Sequence, residues 1–391
     1  MLPRLAVVLS HPTQYYSPWF RWLRTHTALE FRVFYLWEFG VTAQTDPHFL
    51  TPIKWDVDLL TGYEHEFVPN TARRPGTEHF WGLRNPTLIA RLAAWRPDAM
   101  LIFGYAYASH LRAIGWARRH GVPLVFRGDS HFLGRPAPGL AAAFLLRQLY
   151  RQFSAVTYVG QANRDYFTTL GVPASKLFFA PHAVDASLFH PGSPETRRAA
   201  DALRDQLGLR GKRVILFAGK FVAAKQPAQL LEAFLALNLP DTALVFVGDG
   251  PEKDALQTRA GTAAPGRVHF LPFANQSEMP ARYLLADVFA LPSRGHYETW
   301  GLAVNEAMQL GRPCLVSDRV GCQQDLVTDV ETGWVFRADD PNELRAKLAA
   351  ALTVDLAPFQ SHVAARIARY GYAQTTAGLL DALGSLPGFS Q

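Results

Sequence analysis

Leu291-Pro-Ser-Arg-Gly-His-Tyr-Glu-Thr-Trp-Gly-Leu-Ala-Val-Asn-Glu-Ala-Met308 joins an apolar run to a helix start through a glycine-containing loop. The run ending at Leu291 reads as a buried strand, and the pattern from about Trp300–Gly301 reads as a helix. A helix start presents N–H groups without intrahelical partners and the positive end of the helix dipole, which suit a phosphate or a sugar hydroxyl. Glu298 lies on the loop just before the helix, and Glu306 lies on the helix eight residues later. That spacing is a little over two turns, enough to set two carboxylates at opposite ends of one elongated ligand. Carboxylates accept hydrogen bonds from vicinal diols, so a nucleotide sugar is a natural occupant, sugar at one end and ribose at the other. The alternative is a capping Glu298 and a solvated Glu306.

Working outward, Val214-Ile-Leu-Phe-Ala-Gly-Lys220 is a strand that ends in Gly219-Lys220; Lys225 follows, and Pro227 opens a helix. Glycine permits close backbone approach, and two lysines can neutralise a diphosphate. A further strand ends in Val247-Gly-Asp-Gly-Pro251, with Gly248 at its terminus. Strands over 268–271, 288–291, 314–317 and 334–336 alternate with helical patterns, which predicts a parallel sheet covered by helices. The first half shows the same alternation, with strands over 5–9, 31–36, 99–103, 124–126, 156–159 and 177–179. The stretch 40–84 breaks that rhythm; a connection of that length is expected to carry some structure or to line a site. The segment 181–194, rich in Pro, Gly and Ser, reads as a linker. The fold class expected is therefore α/β, two Rossmann-like doubly wound domains facing a cleft, with ligands beyond the carboxyl ends of the strands.

These residues resemble glycosyltransferase family 4, whose fold is GT-B. The family signature, Glu, seven residues, Glu, with an aromatic-Gly step after the first acid and Glu-Ala at the second, is matched by Glu298, Trp300-Gly301 and Glu306-Ala307. The resemblance implies that Glu298 contacts the donor sugar and Glu306 the ribose, while the backbone amides of Trp300, Gly301 and Leu302 hold sugar and diphosphate. The family's strand-end Arg and Lys are here Lys220 and Lys225; lysine supplies charge without a bidentate fork. Pro181-His-Ala-Val-Asp185 resembles the family's Asn-Gly-Val-Asp with two positions altered. Residues 1–185 would form the acceptor-binding domain and 186–374 the donor-binding domain, with a last helix of about 375–391 packed back on the first.

The loop after the first strand, Ser10-His-Pro-Thr-Gln-Tyr-Tyr16, carries His11 and Gln14 as acceptor-side candidates. Tyr105, after Gly104, is another, as is Arg127. Many relatives carry a histidine after the strand equivalent to 124–126; this chain has Arg127-Gly-Asp-Ser-His131, which makes Asp129 and His131 the catalytic candidates beside Lys220, Lys225 and Glu298. Asp56-Val-Asp58 matches the Asp-x-Asp metal motif of the other glycosyltransferase fold but stands in a different setting, beside Lys54 and Trp55. Cys314 and Cys322 lack ligands at metal spacing and read as buried thiols. No metal is expected, and no prosthetic group; the donor is a UDP- or GDP-sugar, the base contacts falling on loops such as 272–276. The resemblance implies transfer with retention of donor configuration.

The chain has 391 residues, 49% of them hydrophobic, and two cysteines, which excludes a disulfide scaffold and a disordered chain. No apolar run reaches the ~18 residues of a membrane span, and no signal peptide is read at the start. A cytoplasmic protein is expected. Residues 1–185 hold 19 Lys and Arg against 12 Asp and Glu, and the remainder 20 against 21. The basic first half suggests a glycan or lipid-linked acceptor and peripheral contact with an anionic membrane at its inner face. Nucleic acid is not expected, since no zinc-finger spacing, aromatic ribonucleoprotein motif or long basic run occurs. Alternatives in other classes are a nucleotide-sugar epimerase of similar architecture and a catalytically silent sugar-nucleotide-binding protein. A dinucleotide oxidoreductase is disfavoured because no Gly-x-Gly-x-x-Gly follows the first strand.

Overall fold

Near-continuous Val, Ile, Leu and Phe runs, buried on both faces, make parallel strands in each half of the chain. The structure, a computed structural model, describes residues 3–41, 44–45, 52–136, 138–295 and 298–389, with 44–45 and 52–53 as backbone only. His296 and Tyr297 of the central motif lie outside the described residues. The first sheet has seven strands in the spatial order His65–Phe67, Glu30–Tyr35, Arg4–Leu9, Ala99–Phe103, Leu124–Arg127, Ala155–Tyr158, Leu177–Phe179, all parallel. The second has six in the order Val268–Leu271, Thr242–Val247, Arg213–Ala218, Val288–Leu291, Cys314–Ser317, Gly333–Phe336, again all parallel.

In each sheet the order reverses beside the first strand of its series. The crevice at such a reversal opens at the carboxyl ends of the strands, where the connections leave in opposite directions. In the first sheet the loops leaving Leu9 and Phe103 flank this point; in the second, those leaving Ala218 and Leu291 do. Apolar side chains pack on both faces of each sheet, so the cores fix the strand ends and leave the loops to chemistry.

After Phe179 the chain passes into the helix Pro194–Gln206, capped by Ser193, whose Oγ accepts from Thr196 N at 3.3 Å. The last helix, Tyr372–Gly384, returns to the first sheet. Leu379, Ala382 and Leu383 join the core that contains Leu5 and Val7, Trp19 Nε1 donates to Thr376 Oγ1 at 3.0 Å, and Thr375 Oγ1 donates to the Pro181 carbonyl at 2.8 Å. The stretch 40–84 contains a short antiparallel pair, Gln44–Thr45 with Pro52–Ile53, the edge strand His65–Phe67 and a single turn at Phe80–Gly82. Residues 54–56 in it dock on the second domain: Asn275 Nδ2 donates to the Lys54 carbonyl at 2.7 Å, and Ser277 N donates to the Asp56 carboxylate at 3.3 Å.

Candidate active site

The helix Leu302–Gln309 starts where Gly301 takes φ +99°, a left-handed conformation that an L side chain adopts only with strain. A Cβ there would also stand 2.9 Å from Val320 Cγ1. This turn aims the first helical N–H groups into a cavity of about 360 Å³ between the domains. Leu302 and Ala303 line it, and the first turn carries no acid. The cavity also gathers Gly219, Lys220, Lys225, Glu298, Trp300, Gly301 and Glu306 from the second domain, with Gln14 and Asp129 from the first. Gly248 stands behind Gly219: a Cβ on Gly248 would lie 2.0 Å from the Gly219 carbonyl oxygen, so the two strand-end turns touch only because it has none.

Glu306 is buried, and burial pushes its carboxyl pKa up from the ordinary range. Three donors from three elements oppose that shift. The Tyr283 hydroxyl donates to Oε2 at 2.7 Å, the Tyr15 hydroxyl to Oε1 at 3.1 Å and Gln276 Nε2 to Oε1 at 3.4 Å. Tyr15 reaches across from the first domain, so this carboxylate also joins the two halves. Glu298 is held differently: Ser293 Oγ donates to its Oε2 at 2.8 Å, and Lys225 Nζ donates to the same oxygen. An acid and a cation at the mouth of one cavity thus neutralise each other.

Asp129 opens onto the cavity with 39% of its side chain accessible. The cleft walls desolvate it, which works against ionisation, but His182, 3.4 Å away, and the Thr299 hydroxyl, which donates at 2.8 Å, bring its pKa down to about 2. Burial lowers the pKa of His182. His131 is also buried, and both its ring nitrogens are engaged. Leu133 N donates to Nδ1 at 3.0 Å, which leaves Nε2 to carry the proton and donate to the Glu298 carbonyl at 3.2 Å. The geometry makes His131 a support for the loop that carries Glu298 rather than a group free to exchange a proton with a substrate.

Three acceptor-side candidates lie away from the cavity. Arg127 is 2% exposed; its Nη1 donates to the Ala180 carbonyl at 2.8 Å and Nη2 to the Pro181 carbonyl at 3.3 Å, so it anchors the chain entering the linker. Tyr105 packs on Phe126 and Tyr150, with ring centroids 6.0 and 6.1 Å away. His11 sits edge-on to Trp37 and Phe39, accepts or donates at Ser10 Oγ over 3.0 Å, and is driven by burial to a pKa of about 4. Each follows a strand end in sequence, and what the sequence did not reveal is whether the side chain turns toward the cleft or back into its own domain. Asp56 is taken by Ser277, and Asp58 accepts from Leu60 N at 3.0 Å and Thr61 N at 3.2 Å.

Residues that the motifs did not single out complete the site: Tyr15, Tyr283, Ser293, Thr299 and His182. Tyr15 adjoins Gln14 in a loop already marked by its composition, and Ser293 and Thr299 sit inside the central motif. Tyr283 lies on the helix Met279–Leu284 at a spacing that reads as core, and no local signal distinguishes it. Gln276 comes from the loop expected to meet the base.

Residues 200–373 match the family described as glycosyl transferases group 1, and residues 54–183 match the glycosyl transferase 4-like domain. A GDP-mannose-dependent alpha-(1-6)-phosphatidylinositol monomannoside mannosyltransferase of Mycolicibacterium smegmatis is 32% identical over 203 residues, 50% of this chain and 52% of that protein. A D-inositol 3-phosphate glycosyltransferase of Mycolicibacterium gilvum is 31% identical over 294 residues, 69% of this chain and 63% of that one. The chain spans about half the length of several curated relatives it matches, 49% to 53% for three of them. Among solved structures, Anabaena HepE in complex with UDP and glucose superposes with a TM-score of 0.71 at 18% identity, covering 98% of this chain and 100% of that one. A glycosyltransferase from Rickettsia africae gives 0.75 at 13% identity, covering 99% of each. At such identities these likenesses speak to the fold, and the fold they share is GT-B. With a 4-like domain over 54–183 ahead of a group 1 domain over 200–373, which together take in more than half of it, the chain belongs to glycosyltransferase family 4.

Proposed function

We propose that this protein is a retaining, metal-independent glycosyltransferase that moves a sugar from a UDP- or GDP-sugar to a glycan or lipid-linked acceptor at the cytoplasmic face of a membrane, in cell-envelope polysaccharide or glycolipid synthesis. The observation that carries it is the convergence of Lys220, Lys225, Glu298, Glu306 and the start of the helix Leu302–Gln309 on one cavity between two domains. The second domain binds the donor. Glu306 accepts from the ribose hydroxyls, Glu298 from the sugar, and the diphosphate lies against Lys220, Lys225 and the N–H groups at the helix start. As the nucleoside diphosphate leaves, these cations and dipoles stabilise the charge that develops on it. Lys225 exchanges Glu298 for phosphate oxygens, which frees the carboxylate for the sugar. The first domain presents the acceptor across the cleft, where Asp129 faces the sugar end. The leaving phosphate takes the acceptor proton on the same face of the sugar, which retains configuration. Relatives support donor and acceptor classes by their descriptions, GDP-mannose and a phosphatidylinositol monomannoside in one case and UDP-glucose in complex with a neighbour in another.

A calorimetric screen of UDP-, GDP- and ADP-sugars, followed by a hydrolysis assay with the best binder, tests this. One UDP- or GDP-sugar is expected to bind and to be hydrolysed slowly. Lys225→Ala is expected to lower turnover by about 10²–10³-fold with the fold intact; turnover near that of the parent would remove Lys225 from this role. Conversion of the donor sugar without an acceptor into an epimer, visible by product chromatography, would assign an epimerase instead.

A further inference from the structure

The helix Leu140–Tyr150 reads Leu-Ala-Ala-Ala-Phe-Leu-Leu-Arg-Gln-Leu-Tyr, apolar but for Arg147 and Gln148, yet of its residues only Tyr150 is buried. A helix this apolar is normally enclosed. Here Leu146, Leu149 and Tyr150 pack into the core of the first domain, and the opposite side is left in the open. Leu140 is 93% exposed, Phe144 59% and Leu145 66%. Leu140 and Phe144, four residues apart, share one stripe of the helix with Arg147 and Arg151, and Leu145 flanks Phe144 on the neighbouring one, so the open side is an apolar strip edged by arginines.

The charge around the strip identifies its partner. From Ser130 to Arg164 the chain carries Arg135, Arg147, Arg151 and Arg164 and no acid. Arg147 and Arg151 are exposed, one turn apart at the strip's carboxyl end. A second copy seated on this strip would set two half-chains against each other that each hold 19 basic against 12 acidic residues. An anionic lipid surface meets both the apolar strip and the arginines. Eleven residues at about 1.5 Å each give a helix about 16 Å long, too short to span a bilayer and suited to lying in its interface. The helix Ala108–Arg119 covers the same face of the first sheet, and beside it Trp81, 61% exposed, and Phe80 stand with Arg112 and Arg119. Trp and Phe among arginines are the composition of an interfacial anchor.

The strip is also tied to the cleft. The segment leading into the helix starts at His131, which donates to the Glu298 carbonyl, and Leu133 passes so close to the donor-side loop that a Cβ on Gly295 would stand 3.0 Å from its carbonyl oxygen. We propose that Leu140–Tyr150 is a membrane-docking helix that lies in the interface of an anionic bilayer and holds the mouth of the cleft at the lipid surface. This rests on, and deepens, the proposed transfer to a lipid-linked acceptor.

The test is co-sedimentation of the full chain with vesicles of phosphatidylcholine alone and of phosphatidylcholine with phosphatidylglycerol. The protein is expected to bind the second and not the first, and binding is expected to weaken with added salt. Phe144→Ser with Leu145→Ser should weaken it about tenfold or more, as should Arg147→Gln with Arg151→Gln. All four positions are exposed, so unchanged thermal midpoints and unchanged nucleotide binding by calorimetry are expected in both variants. Equal binding to both vesicle types, no binding to either, or full binding by the Ser variant overturns the proposal. A parent dimer that the Ser variant converts to monomer, seen by sedimentation equilibrium, overturns it in favour of a second copy. If vesicle binding follows the variants while no nucleotide sugar binds any form, the docking helix stands and the glycosyl-transfer reading falls.

Discussion

Glu306 is a carboxylate enclosed by protein and met by two phenol hydroxyls and one amide. Removing it leaves those donors facing a cavity without their acceptor and takes away the group assigned to the ribose. Charge-assisted hydrogen bonds are worth about 1.5–3 kcal/mol, so Glu306→Ala should weaken nucleoside diphosphate binding by roughly 10- to 100-fold, read by calorimetry. The pKa of this carboxyl is raised above the 4.5 of a free glutamate by burial. Ribose hydroxyls donate best to the ionised form. Affinity is therefore expected to fall as pH drops through that raised value, and Glu306→Gln should bind weakly and lack this part of the slope. A parallel pH dependence in parent and Gln variant would remove Glu306 from the ribose role. At this scale the sequence was informative where chemistry is local: two acids spaced across a helix start are visible without a structure. Tyr283, which donates to one of them, is an aromatic among core residues until the fold brings it there.

At the scale of elements, the helix Leu302–Gln309 depends on one backbone conformation. Gly301 must be left-handed for the strand-end loop to turn into the helix, and Val320 closes the space above it. Gly301→Ala meets both obstacles, and a destabilisation of about 1–3 kcal/mol is expected in urea unfolding. The same substitution shifts the first N–H groups from the cavity, so nucleoside diphosphate affinity should fall as well. Stability equal to the parent's would show that the turn has a second conformation open to it. The strand and helix pattern of both halves was readable because buried parallel strands are apolar throughout while helices repeat every 3.6 residues. The stretch 40–84 was not, because its two- and three-residue strands are too short to show a period.

Across the whole molecule, Asp325 links the two domains. Its carboxylate accepts from Gln161 N, at the start of the helix Gln161–Thr169, at 2.9 and 3.1 Å, and the Tyr370 hydroxyl reaches it at 3.3 Å. Burial raises its pKa from 3.8 to about 6 despite these donors. An acid whose pKa is raised in the folded state favours folding most while protonated. Its contribution is therefore greatest below pH 3.8, declines as pH rises toward about 6, and is level above that. Asp325→Asn should lose this decline, seen by comparing thermal midpoints of the two proteins across that window. Identical slopes would mean that the carboxyl titrates as in the unfolded chain.

The sequence alone determined the two alternating strand–helix series, the strand ends that carry glycines and lysines, and the spacing of Glu298 and Glu306, because each is set by neighbours along the chain and by the periods of regular structure. Only the tertiary structure decided which way the side chains beyond those strand ends turn. Asp129 faces the cavity while Arg127, two residues earlier, is drawn to the carbonyls of Ala180 and Pro181, and His131, two residues later, to that of Glu298. These partners lie 53 to 167 positions away, and a buried cation or imidazole goes wherever an unpaired acceptor waits, which the packing of two domains settles and no local pattern encodes.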